Sequence, residues 1–178
     1  PQLKGIENEL IIDYTEYKMP NDKHPIHRYP IRFDGLYIGL REKGKARFSI
    51  NLKEFEVGHN DLVICSPGDL MHANLQDGIH LSQLMVVSSH FLKEMYISLN
   101  SFMPFFAARK DHPVFHLTDD EVKELKSYFM LIKENVVSDD YFRLDTTKRL
   151  LAAYLYKLGS ILYRHRPELQ AEAAKPLK

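Results

Sequence analysis

The chain has 178 residues, 44% of them apolar and 27% charged, which suffices for one well-packed core and excludes a disordered chain. Its 24 basic and 24 acidic residues cancel, whereas proteins that grip a nucleic-acid backbone carry a basic surplus, so direct DNA binding by this chain is not expected. No apolar run approaches the ~20 residues of a membrane span, no basic-then-apolar leader follows Pro1, and Cys65 is the sole cysteine; together these predict a cytoplasmic protein without membrane contact or an intrachain disulfide.

The first predicted strand covers residues 9–14, apolar and β-branched at its centre. Between Met19 and Pro30 lie three prolines with His24 and His27, the composition of a loop. Residues 29–33 read as a short strand turned at Asp34-Gly35. Leu36, Ile38 and Leu40 then alternate with Tyr37, Gly39 and Arg41, the period of a half-buried strand. Glu42-Lys43-Gly44-Lys45 predicts a tight hairpin turn with Gly44 at positive φ, and Ala46, Phe48 and Ile50 alternate on the return. A turn at residues 58–61 separates Phe55-Glu56-Val57 from residues 62–65, a continuous apolar run of the kind that is covered on both faces. Pro67-Gly68-Asp69 turns the chain into residues 71–75, and residues 79–87 form the last obvious strand.

Helical spacing follows. Ser88 or Ser89 is placed to cap a helix beginning near Phe91, and Pro104 with Phe105 and Phe106 suggests a second short helix or a plug. Thr118-Asp119-Asp120-Glu121 matches a capping box, with Val122, Leu125, Phe129, Ile132 and Val136 on one face. Ser138-Asp139-Asp140 predicts the start of a final helix over residues 141–166, about 39 Å long at ~1.5 Å per residue. Its stripe of Leu144, Leu151, Leu155, Leu158 and Leu162 is widened by Leu150, Tyr154 and Ile161. A helix apolar over more than half its circumference is covered on two sides, here by its own domain and by a partner. Leu151, Leu155, Leu158 and Leu162 are therefore the expected homodimer interface. Arg164, His165 and Arg166 complement the helix dipole in the last turn.

Pro67-Gly68-x-x-x-His72 after Gly58 resembles the second motif of the cupins, and the Gly44 turn resembles the end of their first. The layout as a whole, over residues 29–166, resembles the N-terminal half of AraC-type transcription regulators. That resemblance implies a mainly β fold with C-terminal helices: a cupin-like antiparallel β-barrel (double-stranded β-helix) over residues 1–88, a helical segment over 89–166 that packs on it and dimerises, and over 167–178 the start of a linker to a DNA-binding domain outside this chain. It implies the sensing and dimerising part of a bacterial regulator that touches DNA only through that further domain. Counting back from Gly44, Tyr37 stands where metal-binding cupins have their glutamate. Pro30 and Arg32, or Ile31 and Phe33, stand where they have two histidines, and Gln76 stands where they have an asparagine. No metal or other cofactor is therefore expected, and the rival reading, a small metal-dependent cupin isomerase or oxygenase, lacks its ligand set.

For an unidentified small-molecule effector the candidate ligand-binding residues are Arg32, Tyr37 and His72. Arg32 lies on the strand expected to line the open end of the barrel and suits a carboxylate bidentately. Tyr37 would place a phenol in the cavity, and His72 occupies the expected inward position of its motif. Cys65 has no basic neighbour in sequence to activate it and reads as a packing thiol. No nucleophile–base order, phosphate loop or carboxylate pair has convincing context, so no catalytic residue is assigned and the chain is not expected to be an enzyme.

Overall fold

The computed structural model describes residues 4–24, 29–97, 100 and 113–165. The strands are β1 (Lys4–Ile6), β2 (Leu10–Asp13), β3 (Tyr17–Met19), β4 (Ile31–Arg32), β5 (Gly35–Lys43), β6 (Ala46–Ile50), β7 (Lys53–Val57), β8 (Asp61–Cys65), β9 (Leu70–Leu75), β10 (Gly78–Ser88) and β11 (Val114–His116). The helices are α1 (Ser89–Glu94), α2 (Asp119–Val136) and α3 (Arg143–Arg164). No described helix is long and apolar enough to cross a membrane.

The strands form two antiparallel sheets. The larger has seven strands in the order β1-β2-β10-β5-β8-β11, with β3 also beside β10, and the smaller has four in the order β4-β9-β6-β7. They face each other without closing, which corrects the expected barrel. One edge of the smaller sheet is β7, whose Lys53, Glu54 and Glu56 are exposed, and the other is the two-residue β4. A short or charged edge strand resists further pairing.

The larger sheet is dry on both faces. Alternation sends Leu36, Ile38 and Leu40 of β5, with Leu62, Ile64, Met85 and Val87, into one core shared with the helices. Tyr37, Val63, Cys65, Leu84 and Val86 point the other way, into a second core with Phe48, Ile50, Met71 and Ala73 of the smaller sheet. The molecule is thus three layers deep: helices, larger sheet, smaller sheet. Burial on both faces explains the continuous apolar run of β8.

The predicted hairpin at Gly44 is instead a crossover. β5 pairs with β10 and β8, while β6 pairs with β7 and β9, so the chain changes sheets there. Gly44 has φ +88°, and a β-carbon on it would stand 2.7 Å from the Ile79 carbonyl oxygen and 2.4 Å from His80 Nδ1. The true hairpin joins β6 to β7 through Asn51 and Leu52, both at positive φ (49° and 69°).

The helices start largely as their caps predict. Ser88 Oγ accepts from the Phe91 amide at 2.9 Å, and Thr118 and Glu121 complete a reciprocal capping box. The last helix begins at Arg143 after an uncapped Phe142, later than Ser138, whose hydroxyl bonds the Asn135 carbonyl. Its far end returns to the start of α2, where Glu121 receives His165 Nε2 at 2.6 Å and Arg164 at 3.6 Å. Burial pushes the Glu121 carboxyl up, but the Thr118 amide and His165 outweigh it and hold it below its ordinary range.

α3 departs from expectation in what covers its apolar stripe. Leu151, Leu155, Leu158 and Leu162 are all buried in the chain's own core, which they share with α2 and the larger sheet. The surface left outward carries Arg149, Ala153, Tyr156, Ser160 and Tyr163, spaced alternately four and three apart. The region around residues 102–106 and the linker over 167–178 lie outside the described residues.

The two faces of α3 are separable by stability. Leu155→Ala should cost about 2–5 kcal/mol by leaving a cavity, whereas Ser160→Ala, on the exposed face, should stay within about 0.5 kcal/mol. Urea unfolding midpoints of the two variants check this, and equal losses would contradict the packing described.

Candidate functional site

The least usual feature of the interior is a cluster of buried polar side chains where the two sheets meet. It grows from β5 and β10. The pairing of Ser82 with Arg41 and of Leu81 with Lys43 leaves Glu42 as an extra residue on β5. Such a bulge bends the strand and re-aims its side chains. Arg41 continues the inward positions of Tyr37 and Gly39, so its guanidinium enters the space between the sheets at only 5% exposure.

A buried guanidinium ordinarily has a carboxylate partner. Arg41 has none among the described residues. Its side chain makes one hydrogen bond, from Nη1 to His80 Nδ1 at 2.9 Å. His80 Nε2–H in turn donates to the Gln76 carbonyl at 2.5 Å, so the imidazole sits as its neutral Nε2–H tautomer. Burial, with Arg41 adding to it, draws the His80 pKa down against the pull of that carbonyl. The carboxylates nearby are held elsewhere. Asp61 accepts from the Gly58 amide at 2.7 Å and from His116 at 2.8 Å. Asp13 accepts from the Thr15 hydroxyl at 2.6 Å and the Tyr17 hydroxyl at 3.3 Å.

Arg41 divides two small cavities, each about 10 Å³, the room of a single water. The polar one is lined by Asp13, Thr15, Tyr17, His24, His80 and Ser82. The other runs inward against Tyr37, Phe48, Val57, Val63 and the carboxylate of Asp61. Outside them lies an open groove of about 270 Å³ along Met19, Pro20, His72 and Asn74. His24 and Leu75 line both the groove and the polar cavity, so they form the wall between them. The His24 ring lies 4.5 Å from that of Tyr17. Burial lowers the His24 pKa to about 4, and burial with the Asp13 charge pushes the Tyr17 hydroxyl up to about 12.

The residues singled out by sequence are not brought together. Tyr37 is fully inside, its ring stacked 6.2 Å from Phe33 and tilted 5.8 Å from Phe48, with burial raising its pKa. Arg32 is exposed and donates from Nη1 to the Gly68 carbonyl at 2.7 Å, so it braces the Pro67-Gly68 turn instead of lining a cavity. His72 faces outward: Met71 and Ala73 take the inward positions of β9, which leaves His72 on the groove side. His27 lies outside the described residues. Among the described residues no group of three or more His, Cys, Asp or Glu side chains is arranged to hold a metal ion. The polar cluster itself, Arg41 with His80, His24, Tyr17 and Asp13, was not anticipated. Its signal in the sequence is an arginine at the third inward position of an alternating strand.

The cluster makes stability pH-dependent. His24 has a pKa near 4 when folded and about 6.5 when unfolded, so its contribution is complete above about pH 6.5 and is lost as pH falls toward 4. Between pH 7 and pH 5 the wild type should lose about 2 kcal/mol more than His24→Gln, at ~1.4 kcal/mol per pH unit. Urea unfolding at the two pH values measures this, and matching losses would contradict a buried neutral His24.

No protein-family model matches the chain, and no curated protein matches it. Among solved structures, the AraC-like transcriptional activator CuxR matches 86% of this chain and 52% of its own, at 14% identity and a TM-score of 0.51. Wild-type ToxT from Vibrio cholerae strain SCE256, with an unsaturated fatty acid bound, matches 92% of this chain and 57% of its own, at 10% identity and a TM-score of 0.50. The cupin domain of Schizosaccharomyces pombe Cnp3 matches 54% of this chain and 69% of its own, at 13% identity and a TM-score of 0.39. The chain spans about half the length of the two regulators. What it shares with them is a fold: facing antiparallel sheets followed by helices, over most of this chain.

Proposed function

We propose that this chain is the effector-sensing and dimerising part of an AraC-type transcription regulator. It acts without catalysis, in the cytoplasm, and reaches DNA only through a further domain. A small molecule is received between the two sheets, and the helices carry the consequence to a second copy. The fold shared with CuxR and ToxT supports the reading, as does the fatty acid bound in ToxT.

The observation that carries it is the relation between neighbours on the two pocket strands. Arg41 and Ser82 point into the sandwich, while the next residues, Glu42 and Gln83, point to the helices. Glu42 holds Lys126 of α2 at 3.3 Å and Gln83 at 3.3 Å. Gln83, wholly buried, also reaches the Val122 carbonyl in the first turn of α2 at 3.5 Å, and its Oε1 has no hydrogen-bond partner. That first turn carries Glu121, which holds the end of α3. A ligand shifts a conformational balance only through contacts that differ between states. A one-residue step across the sheet is the shortest route from pocket to helices.

Pairing is assigned to α3 through its outward face. With the leucines buried, Ala153, Tyr156, Ser160 and Tyr163 form the solvent-exposed seam of the helix, at the spacing by which helices supercoil. Sedimentation equilibrium should find wild-type dimers, and Tyr156→Glu with Tyr163→Glu should give monomers that still unfold cooperatively in urea. A wild-type monomer, or a dimer that survives both substitutions, would contradict the assignment.

A further inference from the structure

Resting on the reading of the inter-sheet pocket as the effector site, we infer that its ligand is a small organic acid whose single carboxylate pairs with Arg41 and whose body lies in the groove beyond His24 and Leu75. The argument begins with the charge. Arg41 is buried, and among the described residues it bonds only a neutral imidazole and has neither nearby carboxylate within ion-pair distance. Asp61 is occupied by Gly58 and His116, and Asp13 by Thr15 and Tyr17. A charge taken out of water without a counter-charge is costly, and it persists where function supplies the missing partner.

Geometry limits what that partner is. The polar cavity beside Arg41 has room for about one water, so one carboxylate oxygen can take that place while a sugar ring or a nucleotide cannot. A carboxylate suits a guanidinium bidentately. The remaining volume lies in the groove of about 270 Å³, which meets the cavity at His24 and Leu75 and offers Met19 and Pro20 to an apolar body, beside the polar Asp22, Lys23, His72 and Asn74. The charged and titratable groups facing the head are Arg41, His24, His80, Tyr17 and Asp13. Asp13 stands as the one negative charge in that cavity, with Asp61 lining the cavity on the other side of Arg41. It disfavours a second acid group, which is why the assignment is to a monocarboxylate.

Acetate and its neutral isostere acetamide test the head-group site on this chain directly, at matched pH and ionic strength. Acetate should raise the thermal midpoint of the wild type, with the shift growing logarithmically with concentration. Acetamide should not. Arg41→Lys should keep part of the acetate shift, and Arg41→Met should lose it. Equal shifts with acetate and acetamide, or an acetate shift that survives in Arg41→Met, would overturn the assignment. Should Arg41→Met fail to fold, the acetate–acetamide difference in the wild type decides alone. A failure here together with intact α3 dimers removes the carboxylate assignment and leaves the sensor reading standing. Loss of the dimers with an intact acetate response does the reverse.

Discussion

The seven-stranded sheet is the constraint from which the rest of the structure follows, because both of its faces are buried. Every strand in it has period two, so each pair of neighbouring residues sends one side chain to the helices and one to the smaller sheet. Two cores are therefore tied residue by residue to a single backbone. A shift in one layer cannot be absorbed in the sheet without reaching the other, since packed interiors deform little and cores of this density transmit strain. Arg41-Glu42 and Ser82-Gln83 are the polar instances of the same rule, with a pocket on one side and the first turn of α2 on the other.

Against that apolar background the buried arginine stands out. Among the described residues most other charges are paired, as Lys126 with Glu42, Lys148 with Glu94 and Arg164 with Glu121 and Glu124, and the buried Asp13 is held by two hydroxyls. Arg41 combines a bulge that turns it inward, a neutral imidazole and a cavity. The pocket is nearly closed, so binding must part His24 and Leu75, and the energy of that opening is what links occupancy to the rest of the fold.

Much of the fold is legible in the sequence, for local reasons. The β5 and β8 patterns, the turn at Pro67-Gly68 and the caps at Ser88 and Thr118 involve residues close together in the chain, and the structure has them. The cupin-like form and its helical continuation also follow from the order of these elements. What failed was non-local. Gly44 does supply a positive φ, but whether such a turn closes a hairpin or changes sheets depends on partners nearly forty residues away, Ile79 and His80. Leu52 sits at positive φ, where Asn or Gly is the usual residue, so the real hairpin carried a weak local signal. By width alone the leucine stripe of α3 exceeds what one small barrel would cover. The larger sheet and α2 together cover it, and only the layer count decides that. Within the site, Tyr37, Gly39 and Arg41 were seen to alternate with apolar residues, but alternation does not reveal that the polar face is itself covered. His72 was placed by a motif, and the register of β9 places it on the other face.

The central claim is that the pocket and the helices are coupled through this sheet, and a double-mutant cycle on stability tests it most directly. Arg41→Met alters the sandwich side and Lys126→Met the helix side, with no direct contact between the two side chains. Coupling through the shared strand predicts that the double variant departs from the sum of the singles by about 0.5 kcal/mol or more. Additivity within about 0.3 kcal/mol would mean that the two faces of the sheet respond independently. That result would contradict the account.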